Sequence, residues 1–352
     1  MAYSTISKPS LHFNTKLYTG NGNTQSITGV GFQPDLTWIK NRTNSSTEHY
    51  LYDAVRGAGK SVRSSSDIAE ATETNQLTAF DSDGFSIGNW GDGNTNSSNI
   101  VSWNWKAGTT GSGTTTGAGT GKAYSYSVNT TAGFSIVKYL GNGTVNHTIP
   151  HHLGVAPKMI ITKNLDSGVT WIVGHDSITW ANILFLDTDA SKSDDSNAFN
   201  DVAPTSTVWN VGGGNGNNSD NVNYVSYCFA EKKGYSKFGS YTGNGNSSGD
   251  GAFIYLGFKP AFFMVKNVSA SGHGWYMFDN KRDVDNPTNK YLVANTTAAD
   301  ASFDWMDFNS NGIKVRGNSG GANNSGETYI YMAIAEEPLV ANVGASIPAT
   351  AR

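Results

Sequence analysis

The stretch YLGNGTVNHTIPHHLGVAPKMIITKNLDSGVTWIVGHD, residues 139–176, decides the reading of the whole chain, because its landmarks occur twice more. It opens on Tyr139-Leu-Gly-Asn-Gly143, and Tyr-x-Gly-Asn-Gly returns at Tyr18–Gly22 and Tyr241–Gly245. A proline follows at Pro34, Pro157 and Pro260, and at fixed spacing behind it comes a Lys-Asn pair: Lys40-Asn41, Lys163-Asn164 and Lys266-Asn267. Twelve residues after each Asn stands an Asp, at Asp53, Asp176 and Asp279. Two fixed gaps met three times over mark an internal repeat.

Each landmark carries a local structural expectation. Asn21-Gly22 and its counterparts read as two-residue hairpin turns, where positive φ favours Asn and Gly. The runs Asp35–Lys40, Lys158–Lys163 and Ala261–Lys266 are short, apolar and opened by proline, as expected of strands buried on both faces. A second recurring strand covers His49–Asp53, Trp171–Asp176 and Trp275–Asp279. The closing strands alternate most clearly. Val101, Trp103 and Trp105 point one way, as do Val225, Tyr227 and Phe229, then Ile330, Met332 and Ile334.

The fold class expected is therefore all-β: three tandem β-sandwich repeats, jelly-roll or lectin-like, joined by one flexible Gly/Thr linker. The boundaries are an N-terminal arm 1–11, a first repeat 12–107, a linker 108–122, a second repeat 123–232, a third repeat 233–337 and a tail 338–352. The linker is nearly all Gly, Thr, Ser and Ala, a composition that reads as a tether.

Composition narrows the function classes. Charged residues make up 15% of the 352 residues and the formal net charge is −4, so the chain lacks the basic footprint of a nucleic-acid binder. Cys228 stands alone, which excludes internal disulfides and cysteine zinc clusters. Met1–Ser10 shows no basic patch followed by an apolar run, so no signal peptide is expected, and no apolar stretch is long enough for a membrane-spanning helix.

Several phrases resemble a family of uncharacterised repeats found in structural and tail-fibre-like proteins of marine bacteriophages. They are Tyr18-Thr-Gly-Asn-Gly22, Gly31-Phe-Gln-Pro-Asp-Leu-Thr-Trp-Ile-Lys-Asn-Arg42, Phe80-Asp-Ser-Asp-Gly-Phe85, Leu153-Gly-Val-Ala-Pro157, Tyr331-Met-Ala-Ile-Ala-Glu-Glu-Pro338 and Ile347-Pro-Ala-Thr-Ala-Arg352. The resemblance implies a virion component, assembled in the host cytoplasm beside other virion proteins, and by analogy a homotrimer. It carries no catalytic residue across.

Chemistry was sought among the polar residues. His147, His151 and His152 cluster at a turn but lack counterparts in the other repeats, and they read as turn histidines rather than zinc ligands. Asp81, Asp83, Asp187, Asp189, Asp194 and Asp195 lack the EF-hand pattern and read as turn formers, so no metal or other cofactor is expected. The repeated Asp residues come singly, whereas glycoside hydrolysis needs two facing carboxyl groups. The chain is therefore read as non-enzymatic. Sugar recognition is the functional expectation, because aromatic residues and amides crowd the loops. Trp90, Asn94, Trp180 and His273 depart from the repeat and are the glycan-binding candidates, with host surface polysaccharide as ligand. A purely structural virion protein is the alternative.

Overall fold

The computed structural model describes residues 4–338; the end of the tail 338–352 and the first three residues of the arm lie outside them. The chain is all-β, built of antiparallel sheets. Its strands gather in three lobes.

The first lobe holds β1 (Phe13–Thr19), β2 (Gln25–Thr28), β3 (Leu36–Asn41), β4 (His49–Asp53) and β5 (Lys60–Arg63). It continues with β6 (Ala71–Thr72), β7 (Leu77–Asp81), β8 (Gly84–Ile87) and β9 (Asn99–Trp105). The second begins with β10 (Thr109–Thr114), β11 (Thr116–Gly117), β12 (Ala123–Asn129), β13 (Phe134–Leu140), β14 (His147–Pro150) and β15 (Met159–Asn164). It ends with β16 (Ile172–His175), β17 (Asn182–Phe185), β18 (Ser193–Asp194), the helical turn α1 (Ser196–Phe199), β19 (Val208–Val211) and β20 (Asn223–Phe229). The third comprises β21 (Ser236–Thr242), β22 (Phe253–Tyr255), β23 (Phe258–Asn267), β24 (Trp275–Asp279) and β25 (Thr288–Val293). It closes with β26 (Ala301–Asn309), β27 (Gly312–Val315) and β28 (Thr328–Pro338).

One strand order runs through the larger sheet of every lobe: β1-β9-β3-β4-β5, β13-β20-β15-β16-β17 and β21-β28-β23-β24-β25. The smaller sheets are β2-β8-β7, β11-β14-β19 and, continuous with the larger one, β26-β27-β22. The proline-opened strands β3, β15 and β23 lie in the middle of these sheets, and the run down to the Lys-Asn pair is buried throughout in β3 and β15.

Two kinds of core explain that burial. Alternate residues Ile39, Ile160 and Phe263 enter the interior of their own lobe. Their neighbours Trp38, Ile161 and Met264 face a single central core shared by all three lobes. The clear apolar stripe of the closing strands also points there: Trp103, Tyr227 and Met332 belong to this shared core. The alternation thus marks the surface where lobe meets lobe, while the opposite face of each strand lines its own sandwich. Phe13, Trp103 and Trp105 touch Phe262 of the third lobe, and Trp105 also touches Phe134 and Phe229 of the second. Ile6, from the N-terminal arm, is buried in the same core.

The Gly-Asn-Gly segments are not hairpin turns. β1 pairs with β9 and β2 with β8, so the segment carries the chain from one sheet to the other. A buried Asn grips each corner. Asn94 Oδ1 accepts from Asn21 N, Asn218 Oδ1 from Asn142 N, and Asn323 Oδ1 from Asn244 N, all at 3.0 Å. The leading glycine allows this close approach, since a Cβ on Gly20 would stand 2.1 Å from the Thr95 carbonyl oxygen.

The Gly/Thr-rich stretch 108–122 is not a free tether either. β10 pairs with β12 along its whole length, and β11 pairs with β14. Glycine makes this docking possible. The Tyr126 ring lies over Gly111 and the Tyr124 ring over Gly113, in space that any Cβ would occupy. His147 completes the anchor, its ring nitrogens 2.8 Å from the Ala118 carbonyl and 2.7 Å from Thr115 Oγ1. Composition alone suggested flexibility because it registers the small side chains and not the rings that cover them.

Limited proteolysis tests this arrangement. With β10 and β11 paired, the native protein is expected to resist cleavage within 109–117 until it unfolds globally. Early nicking there would show that the segment is undocked.

Candidate functional site

The repeated polar residues converge where the lobes meet. Lys40, Lys163 and Lys266 are fully buried. Each sends its ammonium to a backbone carbonyl of another lobe: Lys40 to Thr297 at 2.9 Å, Lys163 to Asp67 at 2.7 Å and Lys266 to Asp189 at 3.2 Å. Each also donates within its own lobe, to Thr47, Val169 and His273 carbonyls at 2.7, 2.6 and 2.6 Å. Burial draws all three down to about 8, so they remain cationic at neutral pH. The adjoining Asn side chain shapes the loop that supplies those acceptors. Asn41 Oδ1, for example, accepts from Thr43 N and Asn44 N.

A backbone bond repeats beside each lysine, and an indole bond beside two of them. Glu70, Lys192 and Asp300 donate their N–H groups to the carbonyls of Leu165, Val268 and Arg42 in the neighbouring lobe. Trp171 Nε1 donates to Arg63 O and Trp275 Nε1 to Phe185 O, both at 2.8 Å. At the matching position in β4 stands His49, whose Nδ1 instead accepts from Trp38 Nε1 at 3.0 Å.

The carboxylates belong to the same interfaces. Asp53 accepts from Arg56 Nε at 2.5 Å and from the Tyr227 hydroxyl of the second lobe at 2.9 Å. Asp279 accepts from Arg282 Nε at 2.6 Å and from Trp103 Nε1 of the first lobe at 3.1 Å. Burial works to raise the Asp279 carboxyl, but the Arg282 guanidinium holds it below the usual range. Each carboxylate is consumed by one arginine, two backbone N–H groups of the following turn and one donor from another lobe, which is a packing role.

Asp176 does not share that role. Strand register pairs Leu36 with Asp53, Phe262 with Asp279 and Met159 with His175, so His175 occupies the carboxylate's place. Asp176 is exposed and bonded to Lys158 at 2.7 Å. The spacing of twelve was misleading because Trp171–His175 ends one residue earlier than the Asp. The replacement has a physical logic. The closing strand of the third lobe presents Met332 where the others present Trp103 and Tyr227, and methionine offers no donor to a carboxylate. His175 Nε2 meets the Tyr331 carbonyl at 3.3 Å and its Nδ1 accepts from Ser177 N. Burial holds it down at about 4, hence neutral.

Three of the four glycan candidates are core residues. Trp90 is 5% exposed and packs edge-on against Tyr50 at 4.7 Å. Trp180 is 4% exposed against Phe199, and Asn94 is the buried corner clamp described above. None of the three presents a face to a sugar. His273 is half-buried, and its carbonyl receives Lys266. The turn histidines are likewise engaged: His151 Nε2 lies 3.2 Å from Thr205 O, and His152 stacks on Tyr126. Among the described residues no group of three or more His, Cys, Asp or Glu side chains is placed to hold a metal.

The third lobe presents a different surface. Phe253 and Tyr255 of β22 are 48% and 51% exposed, while Ile254 between them is buried. Phe303, at the start of β26, is 45% exposed with its ring over Gly317. Beside it a groove of about 500 Å³ is lined by Ser248, Phe303, Asp304, Arg316 and Asn318. Arg316 is steadied by Asp307 at 2.7 Å. Sequence reading passed over these aromatics because their strands also supply core residues. Phe253-Ile-Tyr255 is apolar at all three positions, so its pattern does not say which face is open.

The architecture and surface are those of a multi-lobed β-sandwich protein. Comparison with known families adds one assignment: the family described as Domain of unknown function (DUF7483) matches residues 8–338, and the chain belongs to it. No curated protein and no solved structure matches the chain.

Two substitutions test the interface chemistry. Asp279→Asn strips the buried Arg282 of one of its two carboxylates, and a loss of about 3–5 kcal/mol is expected in denaturant unfolding. His175→Gln addresses pH. The unfolded chain protonates its histidines near 6.5 while the folded chain keeps His175 neutral to about 4, so this stability is present above pH 6.5 and lost as pH falls toward 4. Unfolding midpoints measured across that window are expected to fall less steeply for His175→Gln than for the parent.

Proposed function

We propose that this chain is a non-enzymatic component of a bacteriophage virion appendage, tail-fibre-like, that recognises glycans on the host surface. The observation that carries the reading is the outer face of the third lobe. Phe303 turns aromatic surface outward beside the polar groove of Asp304, Arg316 and Asn318, and Phe253 and Tyr255 expose two further rings on the same lobe. A sugar ring stacks its C–H face on such rings and directs its hydroxyls to neighbouring polar groups. At the corresponding edge of the first lobe, β2 exposes Ser26 and Thr28. The aromatic face therefore belongs to one lobe and is not required by the shared strand order.

The phage setting rests on the sequence resemblance. Other virion proteins are the expected partners, and many copies on one particle would add weak contacts into firm attachment. A second reading, a structural virion protein without a ligand, draws on the interfaces, where the repeated Lys, Asp and Arg residues all serve to join lobe to lobe.

Binding of the purified full-length protein to intact host cells separates the two. Saturable binding removed by excess host envelope polysaccharide, and reduced roughly tenfold or more by Phe303→Ala, is the outcome expected. A folded protein that does not bind would favour the structural role.

A further inference from the structure

The second lobe holds a vacant place that the other two lobes fill. Strand register sets Ile172 opposite Phe185, at the position that Tyr50 takes in β4 and Tyr276 in β24. In the first lobe the Tyr50 ring meets Trp90 at 4.7 Å, and the Trp90 ring covers Gly93. In the third lobe Tyr276 meets Trp305, also at 4.7 Å, over Gly321. The second lobe has Ile172 in place of the tyrosine, and Asn217 in place of Gly93. That equivalence follows from the tyrosine hydroxyls, Tyr18 donating to the Gly93 carbonyl and Tyr139 to the Asn217 carbonyl. A cleft of about 210 Å³ opens here.

Its lining is two-sided. Ile172, Ala198 and the half-buried ring of Phe185 form an apolar wall, and Asn197, Asp195 and Asn217 supply polar groups. Asn217 is the telling residue. It is 1% exposed, its Nδ2 donates to the Ala198 carbonyl at 2.6 Å, and its Oδ1 is buried without a hydrogen-bond partner. A buried acceptor left unpaired is destabilising, so a ligand that donates to it gains by filling the site. The walls are anchored. Phe185 O receives Trp275 Nε1, and Gly214 N bonds to Asn197 O at 3.0 Å.

We propose that this cleft binds a single neutral pyranose ring of a polysaccharide, with a C–H face on Phe185 and Ile172 and a hydroxyl donating to Asn217 Oδ1. The volume lies below the roughly 300–1,000 Å³ of a drug-sized pocket, which suits one ring. The proposal rests on the glycan reading above but concerns a different lobe, so the two can fail separately.

The test uses the full chain and saturation-transfer NMR with the methyl pyranosides of glucose, galactose, mannose, N-acetylglucosamine and rhamnose. A Gly-Trp-Gly tripeptide serves as the alternative ligand. At least one methyl pyranoside is expected to bind saturably, with affinity cut about tenfold or more by Asn217→Ala and by Asn197→Trp, which closes the mouth from an exposed position. Asn197→Trp keeps the test valid should Asn217→Ala fold poorly. Silence from all five sugars, or binding unchanged in a folded Asn197→Trp protein, overturns the proposal. Capture of the tripeptide alone overturns it in favour of a peptide site. Host-cell binding that survives Asn197→Trp but not Phe303→Ala places recognition in the third lobe and removes the cleft from it.

Discussion

A lysine ammonium buried between two lobes and spent on backbone carbonyls is the constraint on which the structure depends. A cation withdrawn from water is tolerated only when its protons are taken up, and here they are taken up by carbonyl oxygens from two different lobes. Lys40 joins the first lobe to the third, Lys163 the second to the first and Lys266 the third to the second. Separating any pair would leave an ammonium short of acceptors and would uncover the central core. The three lobes therefore act as one body, and the second core, shared between sheets, is as much a condition of the fold as the interior of each sandwich.

The remaining interface residues adapt to that requirement locally. Where a closing strand offers a hydrogen-bond donor to the next lobe, as Trp103 and Tyr227 do, the partner is a carboxylate balanced by arginine. Where it offers Met332, the partner is the neutral His175, which satisfies itself on a main-chain carbonyl. The same position thus carries charge in two lobes and none in the third, and each arrangement leaves its buried polar atoms paired. Recognition chemistry is accordingly sought where the lobes differ: the outward aromatics of the third and the unfilled cleft of the second.

The sequence alone was a sound guide to local order. Strand positions, burial of the Pro-to-Lys runs on both faces and the alternation in the closing strands could all be read from residue pattern, because strand periodicity is written along the chain itself. Candidate sites were harder to read. Trp90 and Trp180 stood out for departing from the repeat, yet each departs because it fills space beside Tyr50 or Phe199. Asn94 looked like a loop amide and is a clamp whose counterparts, Asn218 and Asn323, sit in loops too unlike for spacing to align.

What the sequence determined by itself was an all-β chain with recurring strands and apolar faces of known phase. Only the tertiary structure decided what those faces meet. Periodicity shows that Trp103 lies on a buried side, but the partner, Asp279, comes from a distant part of the chain. Lys40 likewise repeats in plain view, whereas its acceptor is the carbonyl of Thr297, a group that every residue has and no sequence marks. The stretch 108–122 makes the same point in reverse: its glycines read as freedom until the rings of Tyr124 and Tyr126 are seen to need the space they leave.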